Sequence, residues 1–187
     1  MLLALGDTGH VGFRVVAYAT GGLEKTVSLL GQEVGLVGMG ALSTAITVTF
    51  FYMLVLVVWA RRFEKSFGRF GILLIVAGIG RLVYMGLPVN DWNSVVPTQP
   101  YSLYRNLFLV IQGLGVAFLI LRDAQAEKDR TFFWIGICIL LSYGFYIPVI
   151  LFVQQVPAIG MLMIPKTLAY VAIAVIGNRS LFSPAVK

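Results

Sequence analysis

Residues 35–60 read GLVGMGALSTAITVTFFYMLVLVVWA and contain no charged side chain. A helix needs about 20 predominantly apolar residues to cross a bilayer, so this stretch is long enough with residues to spare. Arg61, Arg62 and Lys65 follow at once. An uncharged stretch that ends in a basic cluster is typical of a transmembrane helix whose last turn lies at the cytoplasmic surface.

Further apolar stretches lie on both sides of this one. Four are as clear, and a sixth, at the start of the chain, carries Asp7, His10 and Arg14 and is the weakest by hydropathy. The sequence thus predicts an all-α, polytopic transmembrane helical bundle in a single integral membrane domain, 1–187, with about six spans. They are residues 1–20, 35–60, 69–88, 102–121, 131–153 and 157–178.

Composition supports a membrane protein over a water-soluble one. The 187 residues are 59% hydrophobic and only 12% charged, and the mean hydropathy is +0.90. Soluble domains carry about 25% charged residues. A soluble fold of this size could not cover its surface with so few charges, whereas lipid tails require no polar cover.

The basic residues predict the orientation. Nine of the fourteen lie in alternate connectors and the C-terminal tail, whereas the other connectors, 21–34, 89–101 and 154–156, hold only Lys25. Positive charge concentrates on the cytoplasmic side, so both termini are expected to be cytoplasmic. A bacterial inner membrane is the expected location. The scattered basic residues form no continuous face for nucleic acid, so no nucleic-acid partner is expected.

The four remaining cations, Arg14, Arg81, Arg105 and Lys166, lie inside predicted spans. Their distances from the span ends place all four in the outer half of the membrane. A buried charge in a membrane costs at least ~2.5 kcal/mol and usually marks function. We therefore predict a cationic, outward-facing pocket that binds or transports an anionic small molecule or lipid headgroup. Its other predicted ligand-binding residues are Asn106 and Tyr146.

A structural interpretation of these cations stays open beside the pocket. Arg105 would then extend to the outer headgroups, and Arg14 would pair with Asp7. Arg81 would bond backbone carbonyls, and Lys166 would bond the carbonyls that Pro165 leaves free.

Two further functions stay open. One is a membrane-embedded enzyme acting on an acidic or phosphorylated lipid, in which Asp7 orients His10 as the general base. Ser43, Thr44 and Thr47 are its candidate nucleophiles or substrate hydrogen-bonding groups. The other is an accessory subunit that packs on a membrane partner subunit, or on a second copy, through faces of small residues.

The sequence contains no pattern that indicates a metal site or a bound cofactor. One histidine and one cysteine, Cys138, cannot make a typical zinc site, and no metal site is expected. No nucleotide-binding fingerprint occurs, so no cofactor is expected. Membrane lipids are the expected surroundings.

Overall fold

The computed structural model describes residues 2–29 and 32–182. The helices are α1 (Leu2–Thr20), α2 (Leu36–Arg62), α3 (Gly68–Met85), α4 (Tyr101–Ala126), α5 (Arg130–Phe152) and α6 (Met163–Gly177). Short 3-10 turns, Pro88–Asn90 and Pro157–Leu162, precede α4 and α6, and a π-helical turn, Asn178–Phe182, follows α6.

The all-α membrane fold is confirmed. Within the described residues, α2 to α5 and the segment Pro157–Ser180 around α6 are long and apolar enough to cross a membrane. Helix α1 forms as predicted but is not among these five, because Asp7, His10 and Arg14 lower its hydropathy. The chain is thus a multi-pass helical membrane protein, with five clear spans among the described residues where the sequence predicts about six.

A two-stranded antiparallel hairpin, β1 (Thr26–Leu29) and β2 (Gln32–Gly35), lies in the predicted connector 21–34. No pattern in the sequence predicts this hairpin. Val27 pairs with Val34, and Val27 packs against the buried residues Ala17 and Leu36. The apolar face of so short a hairpin needs such packing to be stable, since an isolated two-stranded ribbon is marginal in water.

Internal contacts divide the chain into two compact units. The first unit comprises the residues up to Val55 together with Ile75–Leu109. It contains α1, the hairpin, the first part of α2, the second part of α3 and the start of α4.

Glycines in the first unit let neighbouring backbones approach α2. A Cβ at Gly40 would lie 3.0 Å from the Cα of His10 on α1, and a Cβ at Gly38 would collide with the backbone carbonyl of Trp92. On α1, Gly6 and Gly9 lie against α2, and the hydroxyl of Thr44 donates to the Gly6 carbonyl at 2.9 Å. Small residues at such positions are what membrane helices use to pack closely.

The second unit comprises Leu56–Leu74 and the chain from Val110 onward. Its core contains Val116 and Ile120 of α4 and Ile139 of α5. α5 also packs along α6. A Cβ at Gly113 on α4 would collide with the ring of Tyr143 on α5, so the absence of a side chain at Gly113 makes room for a buried tyrosine.

Candidate functional site

Arg81 on α3 is buried in the first unit, with 2% of its surface exposed. Its Nε donates to the backbone carbonyl of Arg105 at 3.0 Å, and its Nη1 donates to the carbonyl of Ala45 at 2.9 Å. Nη1 also donates to the hydroxyl of Thr49. Arg81 therefore connects α3 to α2 and α4, as the structural interpretation of this residue expected.

The structural interpretation expected Arg105 to extend to the outer headgroups. Arg105 is instead buried, with 8% of its surface exposed. Its Nη1 donates to Oδ1 of Asn90 at 3.3 Å, and its guanidinium lies 4.3 Å from the ring centroid of Trp92. A cation over a tryptophan face is attracted by the ring quadrupole. These contacts hold Arg105 against the connector between α3 and α4.

The same connector caps the end of α3. Nδ2 of Asn90 donates to the carbonyl of Tyr84, and Nε1 of Trp92 donates to the carbonyl of Met85 at 2.9 Å. The last carbonyls of a helix lack intrahelical donors and must be satisfied in a membrane. Asn90 and Trp92 thus each contact both the C-terminal carbonyls of α3 and the guanidinium of Arg105.

Lys166 on α6 belongs to the second unit and is 8% exposed. Its ammonium lies 4.2 Å from the ring centroid of Tyr146 and 5.6 Å from that of Tyr170. Tyr146 in turn contacts the buried ring of Tyr143 edge-on. The structure therefore brings together two of the predicted ligand-binding residues, Lys166 and Tyr146.

The predicted pocket is distributed over both units. Arg81 and Arg105 lie together in the first unit, and the half-buried Asn106 follows Arg105 on α4. Arg14 also belongs to the first unit and is exposed on α1. A pocket that joins these residues to Lys166 and Tyr146 stays a prediction.

The candidate catalytic residues on α1 differ in exposure. His10 is half-buried, with its backbone against Gly40 of α2, whereas Asp7 is exposed. The hydroxyl of Thr47 donates to the carbonyl of Ser43 at 2.9 Å, and that of Thr44 donates to α1 as described above. The threonine hydroxyls therefore serve backbone hydrogen bonds, as is common in membrane helices.

Asp7 and Arg14 share an exposed face of α1 with Val11 and Tyr18. These four residues, at i, i+4, i+7 and i+11, form what we call the α1 charged face. Neither Asp7 nor Arg14 forms an ion pair among the described residues, so their predicted pairing with each other is not observed.

The second unit contains a buried carboxylate that the sequence does not predict. Asp123 on α4 accepts a hydrogen bond from Nε1 of Trp59 at 2.9 Å and two from Arg122, both at 2.8 Å. Its position just beyond the predicted end of the fourth span made it resemble a connector residue. Trp59 is itself buried, and its ring nitrogen is satisfied by this carboxylate.

Two adjoining cavities that the structure describes lie at the turn between α4 and α5. The larger, about 540 Å³, is lined by Arg62, Glu127, Lys128, Asp129 and Arg130. The smaller, about 270 Å³, shares the last three and adds Ala124, Gln125 and Phe133. None of the predicted ligand-binding residues lines either cavity.

Comparison with known proteins finds no matching family model, no matching curated protein and no matching solved structure. The fold and the buried polar contacts define the class of this chain as a multi-pass α-helical membrane protein.

Proposed function

We propose that the chain is a membrane subunit that assembles with a different membrane polypeptide through the α1 charged face. The observation that supports this is the exposure of Asp7 and Arg14 on a helix that lies against a transmembrane span. This develops the accessory-subunit interpretation of the sequence.

The depth of α1 follows from its contacts with α2. Gly6 lies against Thr44 and Thr47, which are about 12–17 Å along α2 from its first residue, Leu36. Helix α2 has 27 residues and is about 40 Å long, so we infer that Asp7 lies about a third of the way along this span from its predicted outer end. Arg14 is about 10 Å nearer the predicted outer surface.

A charge exposed to hydrocarbon costs at least ~2.5 kcal/mol at the bilayer centre, and intramembrane charges almost always face protein or water. A different side of α1, about 100° around the helix from the α1 charged face, already packs on α2 through Gly6 and Ala17. A second helix over the α1 charged face would shield Asp7 from lipid and could supply it with a hydrogen-bond donor.

The order of the charges argues for a different polypeptide as the partner. Two copies of this chain have the same orientation in one membrane, so their α1 helices would run parallel. Asp7 would then face Asp7 of the second copy, and like charges repel in a medium of low dielectric. A partner helix with a basic residue at the depth of Asp7 and an acidic residue at the depth of Arg14 would be complementary.

Site-specific photo-cross-linking in membranes of the native host tests the proposal. A photoreactive residue replaces Val11, which lies between the two charges, and the control carries it at Val83 on α3, which is also highly exposed. We expect one protein adduct of fixed mass at Val11 and none at Val83. Asp7→Asn or Arg14→Gln should lower its yield about tenfold, the effect of losing roughly 1.4 kcal/mol of pairing.

Three outcomes would contradict the proposal. Adducts with lipid alone at Val11 would show that α1 faces the bilayer. An adduct of twice the mass of the chain would show self-association. Equal yields before and after the charge substitutions would show that Asp7 and Arg14 do not recognise a partner.

Binding or transport of an anion stays a second candidate function. It is supported by two cations, Arg81 and Arg105, that lie together in the first unit and are each more than nine-tenths buried. Isothermal titration calorimetry with inorganic phosphate and with a short-chain phosphatidic acid tests whether the protein binds an anion. Arg105→Gln should weaken binding at least tenfold, since a charge-assisted hydrogen bond contributes about 1.5–3 kcal/mol. Unchanged binding would contradict this function.

The enzyme hypothesis depends on Asp7 and His10 acting together. Asp7 is exposed and His10 is half-buried against α2, so their action as a catalytic pair stays a prediction.

A further inference from the structure

The turn between α4 and α5 lies on the side that the basic residues predict to be cytoplasmic. Three cations line its larger cavity: Arg62 at the end of α2, Lys128 in the turn, and Arg130 at the start of α5. Glu127 and Asp129 line it too, so the five side chains sum formally to +1. Which charges are already compensated therefore decides what the cavity can bind.

The carboxylate of Asp129 already accepts hydrogen bonds from groups of the protein. Its Oδ1 accepts the backbone N–H of Phe132 at 3.0 Å and so caps the N-terminus of α5. Its Oδ2 accepts Nε of Arg62 at 2.9 Å. Both oxygens are engaged, so Asp129 fixes the position of Arg62 in addition to opposing its charge.

Arg62 is bound through Nε alone in this ion pair, which leaves its two Nη groups outside the bond. Its guanidinium also lies 5.8 Å from the ring centroid of Phe132. Lys128 and Arg130 are exposed and form no ion pair among the described residues. The cavity therefore presents one positioned guanidinium and two available cations to an incoming anion.

The smaller cavity adds apolar surface. It shares Lys128 and Arg130 with the larger one, and its lining also includes Ala124 and Phe133. Trp134, next in the chain, is 56% exposed, as is typical of a ring at the membrane interface. A charged cavity beside a partly apolar one fits an amphiphile with a phosphate at one end.

We propose that this corner is a binding site for the headgroup phosphate of an anionic phospholipid of the inner leaflet. The phosphate would occupy the larger cavity, between Arg62, Lys128 and Arg130, where guanidinium groups match its oxygens. The glycerol end of the lipid would lie along the half-buried ring of Phe133. The dipole of the 23-residue helix α5 adds a favourable field at the same place.

Native mass spectrometry of the full chain released from nanodiscs tests this site. The lipid is phosphatidylcholine alone or phosphatidylcholine with phosphatidylglycerol, and the readout is the number of phosphatidylglycerol molecules retained per chain. The double variant K128Q/R130Q should lower their apparent affinity about tenfold or more, because each basic residue near the surface contributes about 1 kcal/mol. Arg69→Gln is the control, since Arg69 is exposed and predicted on the same side but lines neither cavity.

A second variant keeps the test valid if the double variant folds poorly. Glu127→Gln removes an exposed carboxylate that lines the cavity, so it should raise retention of phosphatidylglycerol. If Arg69→Gln and K128Q/R130Q lowered the retention of phosphatidylglycerol equally, the proposal would be overturned in favour of diffuse electrostatic attraction to the surface. Complete displacement of the lipid by free glycerol phosphate would overturn it in favour of a soluble anion. No change with Glu127→Gln would place the lipid elsewhere.

Discussion

Arg81 donates three hydrogen bonds to groups on two neighbouring helices, and this geometry determines what a substitution there removes. The acceptors are the carbonyls of Ala45 and Arg105 and the hydroxyl of Thr49. A planar guanidinium with fixed donors can reach all three at once, whereas an ammonium is a compact charge on a flexible stem.

Arg81→Lys should therefore destabilise the protein although the charge is kept. We expect a loss of about 1–3 kcal/mol in the free energy of unfolding, because at least one charge-assisted hydrogen bond is lost. Chemical unfolding in mixed micelles measures it. The matched control, Arg69→Lys at an exposed position, should change stability by less than about 0.5 kcal/mol. Similar values for both variants would show that the Arg81 contacts contribute little.

Only part of this residue-level arrangement could be predicted from the sequence. The burial of Arg81, Arg105 and Lys166 follows from the cost of charge in a membrane. Their partners do not, because they depend on how helices distant in sequence are rotated and aligned against each other. Trp92, for example, serves Arg105 and the end of α3 at once, and no spacing in the sequence indicates that.

At the scale of the element, two glycines illustrate how α4 and α5 meet. Gly113 on α4 lies directly against the buried ring of Tyr143, whereas Gly144 on α5 has open space where a Cβ would stand. Both glycines are inside helices, so the same substitution tests packing at one site and helix propensity at the other.

Gly113→Ala should destabilise the protein by about 1–3 kcal/mol, since the added methyl group forces the Tyr143 ring out of a packed core. Gly144→Ala should be neutral or stabilising by up to about 1 kcal/mol, because alanine loses less backbone freedom in a helix. Thermal unfolding in nanodiscs distinguishes the two. Equal and small effects would argue against close packing of α4 on Tyr143.

The elements also differ in how far the sequence predicted them. The long apolar stretches became α2 to α6 with ends within six residues of the predicted ones, because hydrophobic length alone specifies a membrane helix. The hairpin β1–β2 was missed, since eight residues carry too weak a pattern without the packing of Val27 on Ala17 and Leu36. Helix α1 was predicted, but its hydropathy alone does not show whether it crosses the membrane. Its position in the membrane is inferred from its contacts with α2.

At the scale of the whole molecule, the orientation in the membrane is a prediction from charge asymmetry alone. Single cysteines at Val96 and Lys65, both exposed, in a background with Cys138→Ser test it. A membrane-impermeant maleimide applied to intact cells should label Val96→Cys at once but Lys65→Cys only after permeabilisation. An N-terminal tag should be inaccessible from outside if α1 completes a sixth span. The opposite labelling pattern would invert the predicted topology.

Composition and charge distribution, read from the sequence alone, determined the class of this protein, its helical segments and its predicted orientation. These properties sum over many residues and depend on transfer between water and lipid, so they need no knowledge of helix contacts. Tertiary structure alone decided that Arg81 connects three helices. Tertiary structure likewise decided that Asp123 is buried and accepts a hydrogen bond from Trp59. It also decided that Asp7 and Arg14 lie exposed on α1. A side chain's partners depend on the rotation and register of each helix against its neighbours, and residues distant in sequence set these jointly.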